Sequence, residues 1–425
     1  MIDPVEIAIE RSPRIRALGA FEAYGLELEY MLVARDSLDV RPIADEALEL
    51  AGAPPGSGEL ERGVLGWSNE LVCHVIELKN VVPGHLAELV ARFQAEVSAF
   101  NRLLGTRNVC LMPGGMHPWM DPAAETRLWP HGSAAVYETY DRIFNCRSHG
   151  WANVQSTHVN LPFRDDEEFE RLHAAVRVVL PLIPALAASS PYAAGRTAGA
   201  LDYRMEVYRH NSDTVPTLTG DVIPEIVASR AEYERRLLRP MYRDIAPHDP
   251  AGILQHEWLN SRGAIARFSR NAIEIRVMDV QECPLADVAI AAAIVDVVRA
   301  LYEERLAPFA RQQQVPGDVL AEIFVACVRD AERAMVAQPE YLRLFGIPRD
   351  QYDAGALWWR IAERVGATGA THRELWAAPI DLILTRGPLA RRLFDALGAT
   401  PTRGDMRDTY RELCASLAAG RMFDP

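Results

Sequence analysis

Acidic residues set inside apolar, strand-like segments constrain this chain more than any other feature. Glu27 and Glu29 stand in Y-G-L-E-L-E-Y (Tyr24 to Tyr30), Glu70 and Glu77 in E-L-V-C-H-V-I-E-L, and Glu274 in A-I-E-I-R-V. A carboxylate among Leu, Val and Ile is costly to bury unless a cation or a hydrogen-bond donor compensates it. One such pair fits the wet face of a sheet. Three such segments, with a histidine-bearing strand between them, point to a polyvalent metal site built on a sheet.

In a strand, side chains two apart share a face. Glu27 and Glu29 therefore project together, and Leu26, Leu28 and Tyr30 form the packed side. Two carboxylates one repeat apart repel unless cations sit between them, and Mg²⁺ suits hard oxygen ligands. Taken alone, E-x-E also describes a solvent-facing polar stripe. Glu77, flanked by Val75, Ile76 and Leu78, reads as buried. Glu70 lies seven residues earlier, an odd separation that puts it on the opposite face of a straight strand. It reaches the same site only if it precedes the regular strand or a bulge intervenes; an exposed strand start is the other reading.

In V-Q-S-T-H-V-N-L-P, Ser156, His158 and Asn160 share a face. An inward imidazole amid carboxylates is a metal ligand or a phosphate donor, whereas a lone strand histidine is otherwise an ordinary core or surface group. R-F-S-R-N-A-I-E-I-R-V-M-D-V places Glu274 and Arg276 on one face, Arg267 and Arg270 before them, and Asp279 on the other face. One strand then offers both a metal ligand and a phosphate-gripping guanidinium, or else a surface ion pair of little worth. Arg204 follows a Gly-rich loop in a further strand-like segment, A-L-D-Y-R-M-E-V-Y.

Composition narrows the classes. The 425 residues carry a net charge of −13 without a basic run, which argues against nonspecific binding to nucleic acid or anionic membrane. No apolar stretch reaches the roughly 18 residues of a membrane span. Met1–Arg14 is charged and lacks an apolar signal core, so a cytoplasmic location is expected. Cys73, Cys110, Cys146, Cys283, Cys327 and Cys414 show no paired spacing and read as free, mostly buried thiols. Of 45 basic residues only Lys79 is lysine, and it lies outside any P-loop pattern. Kinase motifs are absent as well. Phosphates, if handled, fall to arginines and metal ions.

The spacing predicts strands at Ala23–Ala34, Leu71–Leu78, Asn108–Met112, Val154–Pro162 and Ile253–Leu259, and a hairpin over Ile265–Asp279 turning at Ser269–Asn271. Helices are expected at His85–Leu104, Ala134–Asn145, Asp165–Ala188 and Pro224–Asp244, with a loop at Ala53–Gly66 and a helical or looped excursion at Arg41–Gly52. From Leu285 to Arg421 the pattern is almost entirely helical. The sum is an α+β fold with a mainly antiparallel sheet flanked by helices. We read residues 1–425 as one domain, with the catalytic sheet and its helices in 1–283 and a helical part, 284–425, packed on it.

Taken in order, G-L-E-L-E-Y, E-L-V-C-H-V-I-E-L, N-V-Q-S-T-H-V-N, S-S-P-Y-A-A-G-R-T-A-G-A-L-D-Y-R and R-N-A-I-E-I-R-V-M-D resemble the glutamate–cysteine ligase and carboxylate–amine ligase family. The resemblance implies a glutamine-synthetase-like catalytic sheet. It implies an ATP-dependent ligase that converts a carboxylate, usually the glutamate γ-carboxyl, to an acyl phosphate that an amine, here cysteine, attacks. By motif position Glu27, Glu29, Glu70, Glu77, His158 and Glu274 correspond to ligands of two or three Mg²⁺ ions. Arg276 corresponds to the residue that neutralises the transferring phosphoryl group, and Arg204 and Arg267 to ligands of phosphate or of the acid's carboxylate. Partners would be small amino-acid and amine substrates, with no nucleic acid and no membrane; oligomeric state is not encoded. Lys79-Asn80 stands where many relatives have a threonine followed by a proline-containing turn, and Gly199–Asn211 follows the plant-type pattern loosely. Two other readings use the same residues: a metallohydrolase or phosphotransferase, and a relative that binds metal or nucleotide without turnover.

Overall fold

The computed structural model describes residues 17–425; the Met1–Arg14 stretch lies outside them. Eight strands form one antiparallel sheet: β1 (Gly25–Ala34), β2 (Glu59–Arg62), β3 (Leu65–Asn69), β4 (Val75–Asn80), β5 (Val109–Met112), β6 (Ser156–Pro162), β7 (Ala264–Arg267) and β8 (Ala272–Asp279). Their order is β2-β3-β4-β1-β6-β8-β7, and β5 pairs with the far end of β1. The helices that bear on core and site are α1 (Leu86–Gly105), α2 (Ala134–Phe144), α3 (Asp166–Val179), α4 (Tyr203–Tyr208), α5 (Pro284–Tyr302), α6 (Arg373–Arg386) and α7 (Arg403–Ala419). No helix among the described residues is long and apolar enough to cross a membrane.

Strand alternation divides the sheet into two unlike faces. Leu26, Leu28 and Tyr30 of β1, Ile76 and Leu78 of β4, Val159 and Leu161 of β6, and Ile273 and Ile275 of β8 enter one continuous core. α1 meets that core through Leu86, Leu89, Phe93, Val97, Phe100 and Leu104, which recur every three or four residues as a helix face requires. Burying each of these larger side chains contributes roughly 1.5–3 kcal/mol. α5 is buried along nearly its whole length and packs against α1, α3 and α6. The carboxylates of β1, β4 and β8 occupy the opposite face of the sheet.

Several expectations are corrected. The Gly/Pro-rich Ala53–Gly66 stretch contains β2 and runs into β3, a hairpin tied by Leu60 opposite Trp67. Residues 71–74 are a turn, and the regular strand begins at Val75. Arg204 sits on a helix, because Asp202 caps α4 by accepting the Met205 N–H at 3.0 Å. Ile253–Leu259 forms turns and a 3₁₀ segment at Glu257–Leu259, with no strand. The long helix over Asp165–Ala188 is interrupted after Val179, where Pro181 and Pro184 withdraw their N–H groups. The hairpin around Ser269–Asn271 is present as β7 and β8. All six cysteines are free, four of them buried.

One acidic side chain of α5 supports the sheet from its apolar side. Asp287 Oδ1 accepts from Thr157 Oγ1 at 2.6 Å and from the Gln281 N–H at 2.8 Å. Burial outweighs these bonds and pushes its carboxyl from 3.8 up to about 8. The folded chain thus holds a proton that the unfolded chain releases, so this contribution is full below about pH 4 and lost through pH 8. Urea denaturation of Asp287→Asn between pH 5 and 9 is expected to lack that part of the decline. Asp287→Ala is expected to lose about 1–3 kcal/mol at pH 6 by stranding the Thr157 hydroxyl and the Gln281 N–H.

Candidate active site

The β1 register assembles the site. Glu29 stands directly opposite Glu77 of β4, and Glu27 stands between Lys79 of β4 and His158 of β6. Glu274 of β8 lies opposite Asn160 of β6, which donates through Nδ2 to Glu27 Oε1 at 3.3 Å. Glu70, in the turn between β3 and β4, escapes the parity of the strand and lines the same cleft. All six acidic and histidine candidates, with Arg204, Arg267 and Arg276, therefore surround one cavity of about 590 Å³.

His158 is the hub. Its Nδ1 lies 2.9 Å from Glu27 Oε2, and its Nε2 lies 2.9 Å from Ser156 Oγ and 4.0 Å from Glu29 Oε1. Two sets of donor atoms could each hold an ion, with every atom of a set within 4.8 Å of the others: Glu27, His158 and Glu274, and Glu29, Glu77 and His158. Carboxylate oxygens dominate both, which suits a hard divalent cation such as Mg²⁺.

The protein compensates these acids unequally. Burial raises the Glu27 carboxyl, but the His158 hydrogen bond and charge, with Arg270 and Lys79, bring it down to about 2. The same contact raises the His158 pKa, against its own burial. Glu77 goes the other way, to about 7, because burial and the Glu27 charge outweigh Lys79. Its Oε1 takes a bond from Ser68 Oγ at 2.8 Å and lies 3.0 Å from Lys79 Nζ. Glu70 is raised well above the ordinary range by burial and by the Glu29 and Glu77 charges. Such unpaid repulsion at one spot is what a bound cation relieves.

Arginines complete the lining of the cleft. Glu274 lies between two of them: Arg267 Nη1 donates to its Oε2 at 2.7 Å, and Arg276 Nε is 3.2 Å from its Oε1. Arg270 approaches Glu27 at 3.8 Å from the mouth. Arg204 reaches the cleft from α4, with its Nε held by Asp279. Asp279 was expected on the other face. The β6–β8 register shifts between Ile275 and Met278, and this bulge sets Asp279 opposite Ser156, whose Oγ donates to Glu29 at 2.9 Å. Lys79, Tyr137, Tyr208 and Trp258 also line the cavity and were not among the predicted site residues. For Lys79 a signal existed, since residues 77 and 79 share a strand face; the aromatic residues arrive from α2, α4 and the 3₁₀ segment at Glu257–Leu259 and leave no local mark.

The glutamate–cysteine ligase family 2 model matches residues 23–414. The chain belongs to that family. The family comprises ATP-dependent carboxylate–amine ligases. An uncharacterized protein of Archaeoglobus fulgidus is 37% identical over 315 residues, covering 73% of this chain and 80% of that one. A putative glutamate–cysteine ligase 2 of Bradyrhizobium sp. (strain ORS 278) is 28% identical over 287 residues, covering 66% of this chain and 61% of the relative. Among solved structures, glutamate–cysteine ligase from Francisella tularensis in complex with AMP superposes with a TM-score of 0.60 at 12% identity, over 92% of this chain and 88% of that one. A bifunctional glutathione synthetase from Pasteurella multocida gives 0.55 at 13% identity, over 93% of this chain and 52% of that one. Both likenesses are of fold.

The raised Glu77 carboxyl makes metal-free family-2 ligase sensitive to pH. An unfolded glutamate ionises near 4.5, and the folded one near 7. Stability from this group is therefore full at low pH and lost as pH rises through 7. Resistance of chelator-treated protein to urea is expected to fall between pH 5 and 8, and Glu77→Gln to flatten that decline.

Proposed function

We propose that the chain is an ATP- and Mg²⁺-dependent ligase that activates the γ-carboxyl of glutamate as an acyl phosphate and joins it to an amine, cysteine foremost. The observation that carries this reading is the single cleft in which five glutamates and His158 face Arg204, Arg267 and Arg276. Family membership supports the same reaction class, and the AMP complex of the Francisella tularensis ligase supports nucleotide binding on this fold.

In that reaction the carboxylate oxygen of the acid attacks the γ-phosphorus of ATP, and ADP leaves. The neutral amine then attacks the carbonyl carbon, phosphate departs, and the nitrogen gives up its proton to solvent. Glu27 and Glu274 would hold one Mg²⁺ and Glu29 and Glu77 another, with His158, whose neutral imidazole has one lone pair, completing one set or the other and Glu70 beside them. Bound Mg²⁺ supplies neutralisation of phosphate charge. Arg276 and Arg267, beside Glu274, would meet the negative charge of the phosphoryl oxygens, the main electrostatic need of this transfer. Arg204 presents its guanidinium to an oxyanion of the substrates. Without a P-loop lysine, these arginines and ions are what hold a triphosphate.

ADP release from Mg·ATP with glutamate across a panel of amines, with product mass determined, tests the reading. Cysteine-dependent release with a γ-glutamylcysteine product is expected. Another productive amine changes the acceptor alone; no acid–amine pair above background overturns the ligase reading. Glu77→Gln and Glu274→Gln are each expected to lower turnover more than about 100-fold with little loss of Tm, and wild-type rates would refute the site assignment. Because His158 must shed its proton to ligate an ion, Mn²⁺ titrated calorimetrically is expected to bind more tightly at pH 8 than at pH 6.5.

A further inference from the structure

Asp279 is fully buried where three segments meet behind the cleft. Its Oδ1 accepts from Arg204 Nε. Its Oδ2 accepts from the Ser189 N–H at 2.8 Å, from Ser190 Oγ at 2.7 Å and from Ser189 Oγ at 3.3 Å. Ser190 Oγ in turn accepts the Arg204 N–H at 3.0 Å, so one serine ties the carboxylate to the backbone of the residue it holds. Gly115 closes the remaining side: a Cβ there would stand 2.4 Å from Asp279 Cγ. The Gly115 N–H donates to Ser189 Oγ at 2.7 Å, which locks the glycine loop to the same knot.

This arrangement leaves the far edge of Arg204 only weakly engaged. Its Nε is engaged, while Nη1 and Nη2 make long contacts of 3.5 and 3.4 Å to the Arg276 carbonyl at the cleft. A guanidinium clamped on one edge offers two parallel N–H donors on the other, which is the geometry that grips a carboxylate or phosphate. The clamp also removes the rotameric freedom that a long side chain otherwise loses on binding.

We propose that Asp279 is a positioning residue: it fixes the Nε edge of Arg204 so that the Nη edge is presented to a substrate oxyanion. The oxyanion is either the carboxylate of the acid substrate or a phosphate of the nucleotide. This rests on the reading of Arg204 as a substrate-facing group, and the experiment separates the two claims.

The test uses the full chain with glutamate, Mg·ATP and the amine that gives ADP release, comparing Arg204→Gln, Asp279→Asn and the double variant. Arg204→Gln is expected to raise KM for one substrate about 10- to 100-fold, the worth of a charge-assisted bond. A rise for glutamate identifies the carboxylate, and a rise for ATP the phosphate. Asp279→Asn is expected to raise the same KM, with the other KM little changed, and the double variant to be no worse than Arg204→Gln alone. If Arg204→Gln is impaired but Asp279→Asn keeps both KM values, or loses kcat alone, the positioning role is overturned and the site reading stands. If Arg204→Gln behaves as wild type, the reading beneath it fails. Should Asp279→Asn not fold, Ser190→Ala removes one Oδ2 bond and is expected to shift the same KM a few-fold; no shift overturns the proposal. Calorimetric Kd values for glutamate and Mg·ADP repeat the comparison without turnover, and binding of neither ligand overturns both claims.

Discussion

The structure depends on a single geometric coupling: in β1 the residues that build the core alternate with those that build the cleft. Leu26, Leu28 and Tyr30 anchor the strand against the helices, and that packing decides where Glu27 and Glu29 point. A slip of one residue would bury both glutamates in apolar surroundings and expose three core side chains. Hydrophobic burial, the largest favourable term in the fold, thereby holds together five carboxylates that repel one another. The stability lost on the polar face is offset on the apolar one, a few ångströms away through the same backbone.

Buried acids elsewhere in the molecule show what distinguishes the cleft. Asp296 of α5 accepts from the Thr371 and His372 N–H groups, from His372 Nδ1 and from Trp376 Nε1. Asp279 is similarly surrounded by donors. These carboxylates are satisfied and rigid. In the cleft, Glu29 faces Glu77 directly across the β1–β4 pair, and Glu70 has like charges as its main electrostatic neighbours. Asp279 and Asp296 are each held by several donors, whereas Glu70 and Glu77 crowd other carboxylates and lean on a small set of cations.

Much of this was legible because period-two alternation is a local signal. The faces of β1, β6 and β8, the pairing of Glu274 with Arg276 and the α+β class all follow from side-chain spacing, and the antiparallel sheet agrees with them. The illegible parts need information from elsewhere in the chain. The glycines that make Ala53–Gly66 look like a loop do not prevent a hairpin, because β3 supplies the pairing partner for β2 and Trp67 of β3 anchors it in the core against Phe100. Asp279 changes face through a bulge visible only in the register with β6. Arg204 lies on a helix because the Asp202 cap outweighs the strand-like appearance of its neighbours. Glu70 joins the cluster because the strand begins late, the alternative its odd spacing left open.

The ion pair between Lys79 and Glu77 has a chemical consequence of its own. Lys79 carries the one side-chain amine in the sequence, and it stands in the cleft where the proposed reaction generates an activated acyl group. A free amine in that place would compete with the acceptor and become acylated itself. Although burial favours the neutral amine, the Glu77, Glu27 and Glu59 carboxylates together raise its pKa, so its lone pair stays occupied by a proton. In the proposed reaction, the same contact that eases the crowding of carboxylates would keep this amine from competing with the acceptor.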